Sequence, residues 1–228
     1  MKLIYQGKTK DIYQLGESTS LLKFKDDVTG VDGVFDPGAN QVGLSIEGMG
    51  QKNLALTSYF FEKLNQVNIP THFIESDLEA NTMSVKTANV FGQGLEVITR
   101  YKATGSFIRR YGSYIQDGSP LDTYVEITLK DDEREDPFIC LAGLIALGIM
   151  TESQYKQLSE LNRKIADTVK AELEAHGIEL YDIKLEFGYL ATQEEIILID
   201  EISAGNMRAY KDGQLLNPVE LSDIVLDL

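Results

Sequence analysis

Two carboxylates in the C-terminal part of the chain have the spacing of a metal site. Residues 180–188 alternate apolar and polar side chains, which predicts a β-strand with Lys184 and Glu186 on its polar face. The apolar run 196–202 predicts a second strand, and a hairpin of the two brings Asp200 near Glu186. Because Mg²⁺ takes one or two carboxylates together with substrate phosphates, the pair predicts a magnesium site. A solvated strand face is the alternative.

A glycine turn with two lysines lies close to the N-terminus. Gly7-Lys8-Thr9 resembles the end of a P-loop, but Lys2 stands where that motif needs its first glycine, and strands flank the turn on both sides. A Walker-type site is therefore not expected. A hairpin turn can still lay backbone N–H groups and the ammonium groups of Lys8 and Lys10 over phosphates. A phosphate-binding lid and an ordinary basic turn both stay open.

A third group of candidate residues is basic. Four Lys and Arg residues fall within residues 99–110 of an otherwise acidic chain, around Gly105 and Ser106, which could start a short helix. Free N–H groups at a helix start bind phosphate, and Arg grips phosphate with two parallel hydrogen bonds. The cluster therefore predicts an anion pocket, with a solvated basic helix as the alternative. No Ser/His/Asp or Cys/His arrangement can be assembled from the two histidines.

The charge balance narrows the class of partner. The 228 residues include 21 Lys and Arg against 36 Asp and Glu, a formal net charge of −15, which opposes binding to nucleic acid or an anionic membrane. We therefore expect small-molecule substrates and no nucleic acid. The lone Cys140 cannot form an internal disulfide and fits a reducing cytoplasm. The N-terminus has no export signal, and no apolar run approaches the roughly 18 residues that span a bilayer, so no membrane anchor is expected.

The elements that position these residues follow from periodicity and from turn residues. Residues 3–24 predict an antiparallel meander of short strands. Residues 30–50 predict a long mobile loop, because Gly and Pro interrupt any pattern there. The clearest helix begins with a capping box at Thr151. Residues 89–94 predict a hinge between two lobes.

The motifs follow one another in the order of a known family. They run from residue 5 to about residue 208 and resemble those of the SAICAR synthetase (phosphoribosylaminoimidazole-succinocarboxamide synthase) family. The combination is specific, although each motif alone is weak. The resembling segments are YQGKTKDIY (5–13), FKDD (24–27), IPTHF (69–73), LEVITR (95–100), ATGS (103–106), KDD (130–132) with DP (136–137), DIKLEFG (182–188) and DEIS (200–203).

The resemblance implies an α+β fold of two lobes with ATP in the cleft between them. The lobes would be a small antiparallel β-rich lobe, residues 1–92, and a larger α+β lobe, residues 93–228. The implied activity is that of an ATP-dependent carbon–nitrogen ligase of de novo purine biosynthesis. ATP would activate the carboxylate of 5-amino-1-(5-phosphoribosyl)imidazole-4-carboxylate, here called the ribotide, as an acyl phosphate. The amine of L-aspartate would then displace phosphate to give SAICAR, and a homo-oligomer is the implied assembly.

The family's functional residues carry over onto matching positions of this chain. The cofactors implied are ATP and Mg²⁺, and the chemistry is coherent because phosphorylation gives a carboxylate a leaving group while cations offset the charge. Positions that match the ATP site are Lys8 and Lys10 on the phosphates, Lys130 and Asp136 near the nucleotide, and Glu186 and Asp200 on Mg²⁺. Positions that match the acceptor pocket are Arg100, Gly105, Ser106 and Arg208, and the residues implied to be catalytic are Lys184, Arg100 and Arg208.

Departures from the family pattern concern mainly the acceptor half. Gly205 stands where the family has a carboxylate, and Met49 and Leu54 stand where it has a lysine and a second asparagine. The chain also ends at Leu228 without the family's basic C-terminal helix. Two alternatives therefore stay open: a diverged relative that joins another acid or amine, and a nucleotide-binding regulator without turnover. The retained lysines and carboxylates of the ATP half argue against the regulator.

Overall fold

The computed structural model describes residues 1–190 and 195–228. Its first strands are β1 Lys2–Gln6, β2 Lys10–Gln14 and β3 Thr19–Phe24, with β7 Phe73–Asp77 and β8 Thr82–Lys86 later in the chain. They form the predicted antiparallel meander, extended to five strands in the order β1-β2-β3-β8-β7. Apolar side chains such as Leu22 and Val85 are buried beneath this sheet. The glycine turn between β1 and β2 closes with a hydrogen bond of 2.8 Å from Gly7 N to Lys10 O.

The prediction of a long loop over residues 30–50 is wrong for much of that segment. Three short strands form a small antiparallel sheet there: β4 Asp27–Val31, β5 Val34–Phe35 and β6 Val42–Ser45. Glycines interrupt the alternation of apolar and polar residues that would indicate these strands. They are needed there because neighbouring strand backbones approach closely. A Cβ on Gly43 would come within 2.3 Å of the Gly30 backbone, so no larger residue fits. Residues 36–41 connect β5 to β6.

A second antiparallel sheet is built around one long strand. Its members are β9 Asn89–Val90, β10 Leu95–Lys102, β11 Pro120–Leu129, β12 Glu179–Tyr189, β13 Ile196–Ile199, β14 Met207–Lys211 and β15 Gln214–Leu215. The order is β11-β10-β12-β14-β15, and β13 and β9 also pair with β12. The alternation predicted for residues 180–188 is confirmed, since Leu185 and Phe187 are buried on the core face. The predicted strand 196–202 ends early because Asp200 takes a left-handed conformation, with φ +65°.

In the described part of the chain, five α-helices cover the sheets: α1 Met49–Gln66, α2 Ser106–Tyr111, α3 Leu141–Ala146, α4 Glu152–Ala175 and α5 Pro218–Val225. The predicted capping box of α4 is confirmed, because Thr151 Oγ1 accepts from Gln154 N and the Gln154 side chain accepts from Thr151 N. Leu158, Ile165 and Val169 recur on the face that packs against β12. Burial of each such side chain contributes about 1.5–3 kcal/mol. Among the described helices, none has both the length and the hydropathy needed to cross a membrane.

One hydrophobic core connects the two large sheets. Phe60 and Phe61 of α1 belong to it, and α1 contacts both the first sheet and the helices of the second. The division into lobes at residue 92 stays a prediction, as does the hinge at residues 89–94. β9 precedes that boundary and already pairs with β12 of the second sheet. The two sheets leave between them the cleft that contains the candidate site.

Candidate active site

Two cavities meet in the cleft. The larger cavity, about 570 Å³, lies between the glycine turn of the first sheet and the polar face of β12. The smaller cavity, about 360 Å³, lies between β10, β12, β14 and α2. The residues that line both are Pro37, Glu96, Lys184 and Asn206. Two ligands bound in these cavities would therefore approach each other at one lysine–carboxylate pair, Lys184 and Glu96, here called the junction.

The polar face of β12 distributes side chains between the two cavities. Asp182 lines the smaller cavity, Lys184 lines both, and Glu186 lines the larger. Alternate residues of a strand are about 6.6–6.8 Å apart on the same face. The alternation predicted from the sequence therefore explains why Asp182, Lys184 and Glu186 lie in a row that crosses both cavities.

Four lysines that line the cleft, Lys8, Lys10, Lys130 and Lys184, are paired with carboxylates. At the junction, Lys184 Nζ donates a hydrogen bond of 2.6 Å to Glu96 Oε1, so the two side chains form an ion pair. Lys10 is almost completely buried and uses its donors on Asp200, at 3.2 Å, on Glu201 and on Thr9. The remaining pairs are Lys8 with Asp132 at 2.7 Å and Lys130 with Glu186 at 2.5 Å.

Glu186 and Asp200 are drawn together by the β12–β13 hairpin, in which Glu186 pairs with Ile199. Burial raises the pKa of Glu186 above its ordinary value, although the ammonium group of Lys130 opposes this. Burial acts the same way on Asp200, but Lys10 and Lys130 outweigh it and hold the pKa of Asp200 below its ordinary value. Two half-buried carboxylates that repel each other and depend on lysines for charge balance form a cation-binding environment.

The donor set fits Mg²⁺ rather than a metal held by protein alone. Among residues 1–190 and 195–228, no three His, Cys, Asp or Glu side chains cluster as a complete metal cage. Two carboxylates with hard oxygens suit Mg²⁺, which takes its remaining ligands from water and substrate phosphates. Glu186 and Asp200 are therefore the residues that would hold it.

His72 makes a hydrogen bond to the backbone of Asp200. Its Nε2 lies 3.1 Å from the carbonyl oxygen of Asp200, and because a carbonyl can only accept, Nε2 carries the proton. This hydrogen bond holds the left-handed turn at Asp200, a conformation that costs a non-glycine residue about 1–3 kcal/mol. Burial lowers the pKa of His72 from 6.5 to about 4. The ring is therefore neutral at physiological pH.

We expect His72 to make stability depend on pH. The unfolded chain takes up a proton near pH 6.5 and the folded chain only near pH 4, so the unfolded state binds more protons in this window. The free energy of unfolding should therefore fall as pH decreases from about 6.5 to 4, by at most about 3 kcal/mol. His72→Gln keeps an N–H donor and should remove this slope in denaturant titrations, whereas His176→Gln should keep it. An unchanged slope in His72→Gln would contradict the assignment.

Arg100 lies beneath the smaller cavity and is completely committed to protein partners. Its side chain is 2% exposed, and all five N–H groups of the guanidinium donate within the protein. The partners are Glu126 Oε1 at 2.9 and 2.7 Å, Asp182 Oδ2 at 2.5 Å, Thr104 O at 3.2 Å and Ser106 Oγ at 2.8 Å. In this arrangement Arg100 positions Asp182 and Ser106 and has no donor left for a ligand.

Arg208 faces the smaller cavity from β14. Its Nη1 donates to Asp182 at 2.9 Å and its Nη2 to Asp36 at 3.1 Å. Gly105 packs directly on the guanidinium, because a Cβ there would come within 2.7 Å of Nη1. Gly105 also has φ +57°, which side-chain-bearing residues rarely adopt. The glycine predicted for the acceptor pocket thus supports Arg208 rather than lining the cavity wall.

Four positions lie elsewhere than the sequence suggested. Asp136 lines the smaller cavity and not the larger one, and its carboxylate accepts from Asp131 N at 2.8 Å, so it shapes the turn after β11. Met49 and Leu54 are completely buried in the first turns of α1 and line neither cavity. Gly205 lines the larger cavity and has room for a Cβ.

Sequence reasoning missed several charged residues of the cavities. Glu96 stands four residues before Arg100 on β10, so strict alternation places both side chains on one face. That spacing could have identified Glu96. Glu126 of β11 and Asp36 of the β5–β6 connection have no such signal, because they reach the cavity only through tertiary contacts with arginines.

The fold and the two joined cavities, both lined by basic and acidic side chains, match those of a known class of enzyme, the ligases. A family model described as SAICAR synthetase matches residues 3–220. The phosphoribosylaminoimidazole-succinocarboxamide synthase of Clostridium tetani is 56% identical over 227 residues, covering 100% of both chains. That of Thermotoga maritima is 37% identical over 213 residues, covering 93% of this chain and 87% of its own.

Solved structures agree with the sequence comparisons. A SAICAR synthetase (Type-2) in complex with ADP superposes with a TM-score of 0.85 at 28% identity, covering 98% of this chain and 97% of its own. The SAICAR synthetase of Pyrococcus horikoshii OT3 gives a TM-score of 0.82 at 27% identity, covering 96% and 98%. The chain belongs to the SAICAR synthetase family, the ATP-dependent ligases of purine biosynthesis. The α+β fold and the family inferred from its motifs are thereby confirmed.

Proposed function

We propose that the chain joins L-aspartate to the carboxylate of the ribotide, with ATP in the larger cavity and the ribotide and aspartate in the smaller one. The observation that carries this proposal is the junction, where Lys184 and Glu96 line both cavities. Phosphoryl transfer needs the γ-phosphate and the attacking carboxylate in line and close together. Lys184 lines both cavities, so its ammonium group would lie close to both the γ-phosphate and the carboxylate.

The larger cavity has the chemistry of a nucleotide site. Apolar side chains line one part of it, among them Leu22 and Val85, and lysines line the other. A base stacks against apolar surface while lysines neutralise phosphates. The relative solved in complex with ADP supports this use of the cleft.

Glu186 and Asp200 would hold Mg²⁺ in the larger cavity. The ion would supply positive charge that offsets the phosphate oxygens during transfer. Lys130 and Lys10 neutralise the same two carboxylates in this structure, so they stand beside the position that phosphates would occupy. These residues therefore bind and orient the nucleotide without taking part in bond making.

The smaller cavity suits an anionic acceptor. Arg208 and Ser106 line it, and Lys184 faces the carboxylate to be activated. A carboxylate oxygen of the ribotide attacks the γ-phosphorus and ADP leaves. The amine of aspartate then attacks the acyl carbon, and phosphate leaves with the oxygen that came from the carboxylate.

The diverged relative that uses another amine is the competing hypothesis. The 56% identity to the Clostridium tetani synthase, with 100% of each sequence aligned, favours aspartate. The test is ADP release from ATP and the ribotide with aspartate and with a panel of other amines. Release that depends on aspartate supports the proposal, and release that depends on another amine supports the competing hypothesis.

Lys8 gives a prediction for the nucleotide side alone. Lys8→Ala should raise the KM for ATP by about tenfold, because a point charge on phosphate is worth about 1.5–3 kcal/mol and Lys8 is partly exposed. The KM for the ribotide should stay within about twofold. Lys23→Ala removes an exposed lysine of the same sheet that lines neither cavity and serves as the control. Equal effects on both KM values would contradict a lid that touches only ATP.

Lys10 is less suitable for this substitution, because its removal leaves the carboxylates of Asp200 and Glu201 without their cation.

We also propose a cytoplasmic location and a homo-oligomeric state. The free, exposed Cys140 is compatible with a reducing compartment. The oligomer rests on the family resemblance, and size-exclusion chromatography with light scattering would measure it.

A further inference from the structure

The connection between β5 and β6 crosses the boundary of the two cavities. It comprises residues 36–41 and is here called the strap. Gly38 and Asn40 line the smaller cavity, Ala39 lines the larger one, and Pro37 lines both, as the junction does. The strap therefore forms one wall of the place where the two ligands would meet.

Backbone hydrogen bonds fix the strap only at its base. Asp36 N donates to Thr29 O at 3.2 Å, and Gly30 N donates to Gln41 O at 3.1 Å, so both ends are attached to β4. Within the described residues, no backbone–backbone hydrogen bond joins residues 37–40 to a part of the chain outside the strap. The position of this tip therefore depends on contacts with side chains.

The first of these contacts is with Arg208. Asp36 Oδ1 accepts hydrogen bonds from Arg208 Nη2 at 3.1 Å and from Gly38 N at 2.8 Å. A Cβ on Gly38 would come within 2.3 Å of the same Nη2, so the backbone of the strap lies directly on the guanidinium. Nη2 therefore cannot bind an anion of the acceptor while the strap keeps this position.

The second contact is with Lys8, which lines the larger cavity. Lys8 Nζ donates to Asn40 O at 3.3 Å and to Asp132 Oδ1 at 2.7 Å. The side chains of Lys8 and Asp132 are 36% and 51% exposed, so water screens this ion pair. Phosphates of a nucleotide in the larger cavity would compete with Asn40 O for the ammonium group. Each end of the tip is thus held by a cation that a substrate would also bind.

We propose that the substrates release the strap. An anionic group of the acceptor replaces the Asp36 carboxylate on Arg208, and a phosphate of ATP replaces Asn40 O on Lys8. This inference rests on the proposed function, because it assumes ATP in the larger cavity and the ribotide in the smaller one. The strap is the element with two positions, and each ligand favours the released position because it takes over one of the cations.

Release of one strap by two ligands couples their binding. The tip is a single tight turn, so it leaves as a unit and its two contacts break together. The first ligand to bind therefore breaks both contacts, whereas the second ligand finds the strap already released. ADP should tighten ribotide binding, and the ribotide should tighten ADP binding by the same factor.

The test measures ribotide binding by calorimetry with and without saturating ADP. In the wild type, ADP should tighten binding by about tenfold, because the strap is held by a charge-assisted hydrogen bond on a largely buried arginine. Asp36→Asn keeps the shape of the side chain and removes its charge. Ribotide binding without ADP should then be about fivefold tighter, and the effect of ADP should fall below about threefold.

A matched control lies in the same small sheet. Asp32 is exposed in the turn between β4 and β5 and lines neither cavity. Asp32→Asn makes the same chemical change away from Arg208 and should bind both ligands as the wild type does.

Hydrogen–deuterium exchange reports the release itself. Either ligand should raise the exchange of peptides that cover residues 36–41, and both together should raise it further. Exchange in β4, residues 27–31, should stay unchanged, because its pairing with β6 does not involve the tip.

Three results would overturn the inference. Lower exchange of the strap with both ligands bound would show that it closes on the substrates. Weaker ribotide binding in Asp36→Asn would make Asp36 a positioning residue for Arg208, and an effect of ADP below about twofold in the wild type would show that the two contacts are independent.

Failure of the proposed function would be seen separately. A wild-type protein that does not bind the ribotide, or that binds it and does not ligate aspartate, would refute that function. Exchange with ADP alone would still test the strap, since unchanged exchange of residues 36–41 with ADP bound would contradict release from Lys8.

Discussion

Glu186→Gln and Asp200→Asn should each lower turnover by at least about 100-fold at fixed Mg²⁺, because metal charge stabilisation is worth several kcal/mol. Each substitution keeps the shape of the side chain and removes its charge. The fold should persist, since Asn tolerates the left-handed conformation that Asp200 adopts at φ +65°. Steady-state rates over a range of Mg²⁺ concentrations would measure the effect.

A matched control is available for Asp200→Asn. Asp212 is exposed and has φ +52° in a turn of the second sheet, so Asp212→Asn repeats the backbone situation away from both cavities. Its turnover should equal that of the wild type. Wild-type turnover in both carboxylate variants would rule out the metal assignment, as would a loss explained entirely by a lower free energy of unfolding.

Arg208→Lys should raise the KM for the acceptor by at least about 30-fold and leave the KM for ATP within about twofold. The guanidinium spans Asp182 and Asp36 with two separate nitrogens, at 2.9 and 3.1 Å. A lysine has one nitrogen and cannot reach both while facing the cavity. Kinetics with each substrate varied in turn would separate the two KM values.

Gly105→Ala tests the role of Arg208 by placing a methyl group against its guanidinium. The added Cβ would come within 2.7 Å of Arg208 Nη1, and the backbone would keep an unfavourable φ of +57°. We therefore expect the same selective increase in the acceptor KM with Arg208 itself unchanged. Gly213→Ala, at φ +77° with open space around it, carries the backbone strain alone. If both glycine variants behaved alike, pressure on Arg208 would not be the cause.

The polar line along β12 could be predicted from the sequence because its period is 2 and its register is fixed by a buried face. Lys184 and Glu186 follow from alternation alone, and the hairpin that brings Asp200 near Glu186 needs only a turn between two apolar runs. Alternation alone was sufficient here because one face of the strand packs in the core and the other faces the cavities.

The charge pairing inside the cavities could not be predicted from the sequence. Lys10 and Arg100 match family positions that face ligands, but tertiary contacts fill their donors with Glu201, Glu126 and other groups. Those two partners lie 191 and 26 residues away in the sequence. Residue type and spacing therefore identified which side chains reach the cleft, but not which of them have free hydrogen bonds.

Two errors have a common physical cause. The small sheet within residues 30–50 depends on glycines that permit close backbone approach, and such glycines look like loop residues in a sequence. Met49 stands where the resembling family has a lysine, but its side chain is completely buried and lines neither cavity. In both cases the direction of the backbone, which no local pattern reports, decided the outcome.

Oxygen transfer from the ribotide to phosphate tests the central claim most directly. The carboxylate of the ribotide is labelled with ¹⁸O on both oxygens, and the phosphate formed with ATP, Mg²⁺ and aspartate is examined by mass spectrometry. If the γ-phosphate and the carboxylate meet at Lys184 between the two cavities, each phosphate should carry one ¹⁸O, because the acyl oxygen leaves with phosphorus. Phosphate without label, formed together with the amide product, would contradict carboxylate activation and the joint use of the two cavities.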